Sequence, residues 1–237
     1  PIGDPATDGF LARSVPALPN ACIRTFSTSG VVGPCNQVPT DPARPANSLF
    51  GDFSFSAGKT TLLDNVPDPS NGVTQASVST ISRTTLTPIK GEGLSRAANQ
   101  ETFVSLATDG DGYLAVWLDT RSSTVPASFG HPNQAVYAMR LDASGGPQGS
   151  PVKISEGEIW VRTRSHDLSG ISAPHVVFDG KKYFAAWLEQ QPGAVQGVEI
   201  SRTGAITVDK KISIPTSTAI WGDITVGNDA KNRMIVW

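Results

Sequence analysis

The sequence predicts an all-β protein built from a repeat. The stretch "TDGDGYLAVWLDTR", residues 108–121, returns as "FDGKKYFAAWLEQQ", residues 178–191, and again in shortened form as "NDAKNRMIVW", residues 228–237. Gly (23) and Pro (18) are abundant in the 237 residues, and no long stretch carries the 3.6-residue apolar period of a helix. Short apolar runs rich in Ser and Thr, bounded by Gly-containing turns, are the pattern of strands and hairpins.

Residues 1–47 hold eight of the 18 prolines and little apolar alternation. They are expected to form extended chain wrapped over a domain. Cys22 and Cys35 lie in this region, in "ACIRTFSTSGVVGPC". A disulfide between them would close a loop of about 14 residues, worth about 3 kcal/mol on loop entropy, and would imply an oxidising compartment. Two buried thiols are the alternative.

Residues 48–92 read as a degenerate repeat, with "SLFGDFSFSAGKTTLLDN" as a first hairpin and "VTQASVSTISRTTLTPIKGE" as a second. The first clear repeat spans residues 100–155. It places two strands around "DGDG" and two more around "ASGG", turns in which Gly supplies the positive φ that a tight hairpin needs. Residues 173–214 repeat the scheme around "DGKK" and "SRTG", and residues 222–237 hold one hairpin. The recurrent Trp117, Trp187 and Trp237 stand 70 and then 50 residues apart, as expected when strands are kept and loops vary.

Four antiparallel strands per repeat of about 40–50 residues is the arithmetic of a β-propeller blade. A two-sheet β-sandwich is the rival arrangement. The pattern "dG..Y...W.d" followed by "vya.r....G" resembles blade-type repeats of secreted and surface proteins of bacteria, over residues 100–237. That resemblance implies a propeller and an extracellular, periplasmic or cell-surface location. It implies no particular activity, because such blades serve many. The Gly-His and Trp-Asp marks of WD40 blades and the Asp-box of sialidases are missing. With about three and a half repeats visible, the chain is expected to be a piece of a longer one, or to be completed by other copies or a second chain, since an unpaired strand edge is avoided.

Charge excludes some classes. The formal net charge is −2 and 17% of residues are charged, with no basic run for nucleic acid. No apolar stretch reaches the roughly 18 residues of a membrane span. No cofactor motif is present: there is no phosphate-binding Gly loop, nucleophile elbow or haem-attachment box. No metal site is expected, because His131, His166 and His175 have no ligand spacing. Asp109 and Asp111 in "TDGDG" are explained by a hairpin turn without calcium.

In a propeller blade the two hairpin turns fall on one face and the longer connections on the other. Residues 120–133, 156–172 and 215–221 are those long connections, and rigid scaffolds carry binding groups on such loops. Trp160 and Trp221 occupy corresponding "Ile-Trp" steps. Packing between blades is the plainer reading of each; exposed, they would stack on a sugar ring. Arg162, Arg164 and His166 near Trp160 would bind a carboxylate or other anion, against the plainer reading of a solvated loop. The function expected from these features is an extracellular module that binds protein or polysaccharide or assembles at the cell surface, a reading that leans away from an enzyme without deciding the matter. The alternatives are a propeller-type polysaccharide hydrolase or lyase and a structural subunit of a filament or surface layer. No residue is singled out as catalytic.

Overall fold

The computed structural model describes backbone and side chains for residues 104–121, 134–156, 173–189, 193–216, 224–228 and 232–237, and the backbone alone of the strands within residues 2–103. Among the described residues, eighteen strands form five antiparallel sheets in chain order. The first sheet holds β1 (Ile2–Asp4), β2 (Gly9–Ser14), β3 (Cys22–Ser27) and β4 (Asn36–Gln37). The second holds β5 (Leu49–Ser56), β6 (Lys59–Pro67), β7 (Thr74–Ser82) and β8 (Pro88–Gly93). The third holds β9 (Glu101–Thr108), β10 (Gly112–Asp119), β11 (Ala135–Asp142) and β12 (Pro147–Lys153). The fourth holds β13 (His175–Phe178), β14 (Tyr183–Glu189), β15 (Ala194–Ile200) and β16 (Val208–Pro215). The fifth pairs β17 (Thr225–Asn228) with β18 (Arg233–Val236).

Each four-stranded sheet keeps its strands in sequence order. The first strands of successive sheets lie side by side: β5 against β9, β9 against β13, and β13 against β17. Sheets that fan from a row of inner strands are the blades of a β-propeller, not the two facing layers of a sandwich. The fold is therefore all-β, with four-stranded antiparallel blades.

Residues 1–47, expected as extended chain, carry the four strands of the first sheet. All eight prolines of that region fall outside these strands. Proline has no N–H for the ladder, so it marks the gaps and hides the short strands between them.

A blade in the middle of the row is covered on both faces, so its central strands are apolar throughout rather than alternating. In β10 every residue is buried. Leu114, Val116 and Leu118 point one way, into a cluster shared with Val176, Ala185, Trp187 and Val198 of the fourth blade. Tyr113, Ala115 and Trp117 point the other way, with Val104, Tyr137 and Met139. The same division holds in β14: Tyr183, Ala185 and Trp187 face the third blade, while Phe184, Ala186 and Leu188 pack with Ile224 beside Val226 and Ile235 of the fifth. Outer strands see solvent on one side, and β12 and β16 are correspondingly polar and exposed. Trp117 and Trp187 are buried, whereas Trp237 is 52% exposed.

Candidate functional site

Strand direction sorts the connections into two faces. The β9–β10, β11–β12, β13–β14 and β15–β16 turns lie together on the first. Asp109 begins one of them; its Oδ1 accepts the backbone N–H of Asp111 at 3.0 Å and of Gly112 at 2.9 Å. Asp179 repeats this with the N–H groups of Lys181 (2.8 Å) and Lys182 (2.7 Å). Gly110 and Gly180 follow at φ 91° in both turns, a conformation with a steric penalty for any Cβ.

These turns are tied to the next blade. Arg202, in the β15–β16 turn, donates from Nε to Asp109 Oδ2 at 3.2 Å and from its terminal nitrogen to Asp111 Oδ2 at 2.7 Å. The Tyr183 hydroxyl also hydrogen-bonds the Asp109 carboxylate. Burial pushes the Asp109 carboxyl up, but the two backbone N–H groups, Arg202 and Tyr183 together hold it below the usual carboxylate range. Tyr183 is pushed up, by burial first and then by the Asp109 charge. Arg140 of β11 crosses to the same turn and donates to the carbonyls of Gly204 (3.0 Å), Arg202 (2.5 Å) and Ser201. With both acidic groups of "TDGDG" engaged by Arg202, the turn is a structural joint. Among the described residues no group of three or more His, Cys, Asp or Glu stands together in a form suited to a metal ion.

The opposite face is the mouth at which the inner strands begin and from which the long connections depart. Glu101 opens β9 and lies opposite Asp119 in the β9–β10 ladder. Asp52 is the fourth of the eight residues of β5, directly after a register shift, opposite Leu63. His175 opens β13 opposite Ala186. At the rim, the Asp119 side chain is fully buried and accepts the Trp117 indole N–H at 3.1 Å and Arg121 Nε at 2.7 Å. Arg121 lies 4.6 Å over the Tyr137 ring. Glu189 occupies the matching place in the fourth blade, taking the Trp187 indole N–H at 3.4 Å and Gln196 Nε2 at 2.9 Å. Both rim carboxylates are committed to holding strand ends. Asp52 and Glu101 belong to adjacent inner strands.

Trp160, Arg162, Arg164, His166 and Trp221 lie outside the described residues, and so does the pairing of Cys22 with Cys35. By chain position the first four fall between β12 and β13, and Trp221 between β16 and β17. Sequence reasoning missed Asp52 and Glu101. Their only signal is position on inner strands, which is invisible before the sheets are known.

The fold is that of a β-propeller whose adjacent inner strands β5 and β9 carry Asp52 and Glu101. No family model and no curated protein sequence matches the chain. Among solved structures it is similar to an endo-arabinase from Bacteroides thetaiotaomicron VPI-5482, at 13% identity and a TM-score of 0.63, covering 99% of this chain and 86% of that one. It is also similar to a thermostable family-43 glycoside hydrolase, at 12% identity and a TM-score of 0.54, covering 97% and 82%. At these identities the likeness is one of fold. It corrects the expectation of a binding or assembly module leaning away from an enzyme, and with it that of a filament subunit: both proteins sharing this propeller are glycan-cleaving enzymes by name. Repeat spacing and loop length, on which that expectation stood, report the scaffold and are blind to groups converging from separate strands.

Proposed function

We propose that the chain is a propeller-type polysaccharide hydrolase whose active centre is the mouth of the inner strands. The observation that carries this reading is the placement of Asp52 and Glu101 on the adjacent inner strands β5 and β9, in a fold shared with an endo-arabinase. Glycoside hydrolysis needs two carboxyl groups on either side of the scissile bond. One protonates the departing glycosidic oxygen. The other takes a proton from water as it attacks the anomeric carbon, or attacks that carbon itself. A separation of about 6.5–9.5 Å leaves room for the water, and about 5 Å gives the covalent route.

The long connections leaving the same end of the blades supply substrate contacts in this reading. Trp160 and Trp221 offer ring faces for stacking on sugars, and Arg162, Arg164 and His166 offer hydrogen bonds to their hydroxyls. A polymer substrate places the protein outside the cell, where a Cys22–Cys35 disulfide would persist.

The test is reducing-end release from arabinan, with xylan and galactan beside it. Wild-type protein is expected to cleave at least one of them. Asp52→Asn and Glu101→Gln should each lower the rate by roughly a thousandfold while leaving the circular dichroism of the fold unchanged. Full activity in both variants would remove these residues from the reaction. An inert wild-type protein on all three polymers would remove the reading.

A further inference from the structure

The two described blade junctions are built on one plan. In each, the aspartate that opens the first hairpin of a blade divides its oxygens. Oδ1 holds its own turn through two backbone N–H groups. The carboxylate is also engaged by the residue that begins the equivalent strand of the following blade. Tyr183, first residue of β14, hydrogen-bonds Asp109. Arg233, first residue of β18, donates to Asp179 Oδ2. Aligning Trp117, Trp187 and Trp237 puts Tyr113, Tyr183 and Arg233 at one repeat position.

We propose that this turn aspartate is a blade-to-blade latch, and that the latch between the fourth and fifth blades is an acid-sensitive release for β17 and β18. The proposal is independent of any catalytic activity.

The two junctions differ in what remains once carboxylates are protonated. Between the third and fourth blades, Arg140 binds three backbone carbonyls, which do not titrate. The apolar cluster that backs that junction is larger than the one Phe184, Leu188 and Ile224 form with Val226 and Ile235 between the fourth and fifth blades. Between the fourth and fifth, Arg233 has two partners, Asp179 and Glu199 (2.6 Å), and both are carboxylates. Asn228 Nδ2 also donates to the Phe178 carbonyl at 3.0 Å. Among the described residues, the charged groups around Arg233 are these two acids, with Lys181 and Lys182 in the Asp179 turn and Asp209 of β16 reaching Lys182 at 2.9 Å. Lys182 also reaches Glu199 at 3.4 Å.

The direction with pH follows from the folded state. Burial pushes the Asp179 carboxyl up, yet Arg233 and the N–H groups of Lys182 and Lys181 outweigh it and hold it at about 2. Glu199 is held low first by Arg233, with Lys182 adding to the effect. A depressed carboxyl stabilises the folded junction above its unfolded value and loses that contribution as pH falls through the folded value. The latch is intact above about pH 4 and fails toward about pH 2.

Amide hydrogen exchange reads this directly, with each rate normalised to the intrinsic rate at the same pH. Protection of the ladder amides of β17 and β18 should fall by about tenfold or more between about pH 5 and about pH 2, while β10 and β11 change little. In Arg233→Met the β17–β18 protection should be low at neutral pH already and flat with acid. Asp179→Asn keeps the turn acceptor and removes the charge, so it serves if Arg233→Met does not fold; its pH dependence should shrink likewise. Equal loss across all blades, or a pH dependence undiminished in the variants, would overturn the latch.

Discussion

The Trp117 indole N–H donates to the carboxylate of Asp119, two residues further along β10, at 3.1 Å. Residues two apart on a strand share a face, so the pair forms within one strand and needs no other blade. The recurrence of Trp187 with Glu189 makes it a property of the repeat. In the third blade the carboxylate is fully buried and Arg121 completes its charge balance. Removing one member of a buried pair leaves the other uncompensated. Asp119→Ala is therefore expected to cost about 3 kcal/mol, and Trp117→Phe, which loses the hydrogen bond and part of the volume of a fully buried indole, about 2–4 kcal/mol. Urea unfolding measures both. A loss well below about 1 kcal/mol for Asp119→Ala would show that the pair is dispensable.

The propeller is legible in the sequence because its strongest marks are local. The Asp-Gly turns and the tryptophan two residues before an acid sit within about a dozen residues of one another, and hairpin chemistry fixes them. The strands β1–β4 are short and broken by proline, so no apolar period announces them. The junction chemistry is hidden for a different reason. Arg202 meets Asp109 across 93 residues and Arg233 meets Asp179 across 54, and nothing local marks either arginine. The same holds for Asp52 and Glu101: each is an ordinary strand carboxylate until β5 and β9 are placed side by side.

Two glycines are demanded by close packing. A Cβ at Gly112 would stand 2.6 Å from the Leu141 carbonyl oxygen, and one at Gly197 would stand 2.6 Å from Phe184 Cζ. Backbone in a ladder cannot retreat, whereas a ring can be shortened by substitution. Gly112→Ala and Gly197→Ala are each expected to destabilise by about 1–3 kcal/mol. Phe184→Leu should recover part of the Gly197→Ala loss and none of the Gly112→Ala loss. Thermal unfolding of the singles and doubles decides it, and equal recovery in both would contradict the packing argument.

Arg140 holds the third and fourth blades through a fork of three carbonyls, with its guanidinium 5.8 Å from the Tyr183 ring centre. A planar guanidinium fits that fork and an ammonium does not. Arg140→Lys should lose nearly as much stability as Arg140→Met, about 2–3 kcal/mol. Full rescue by lysine in chemical denaturation would mean that charge alone, rather than the fork, holds the joint.

Ser105 makes the tie between inner strands. Its buried Oγ accepts the N–H of Val176 at 3.2 Å, joining β9 to β13 where no strand ladder runs between the blades. Within the third blade, Ser155 Oγ likewise accepts a backbone N–H, that of Val136, at 3.1 Å. A buried N–H that loses its acceptor costs about 1–3 kcal/mol, so Ser105→Ala should weaken the fold by about that much. The more telling readout is local. Exchange of the Val176 amide should speed by about tenfold or more in Ser105→Ala, while the amides of β10 slow or quicken only with overall stability. Threonine keeps the acceptor and should restore Val176 protection. If the Val176 amide follows the global change in both variants, the serine is a packing residue and the inner strands are held by apolar contact alone.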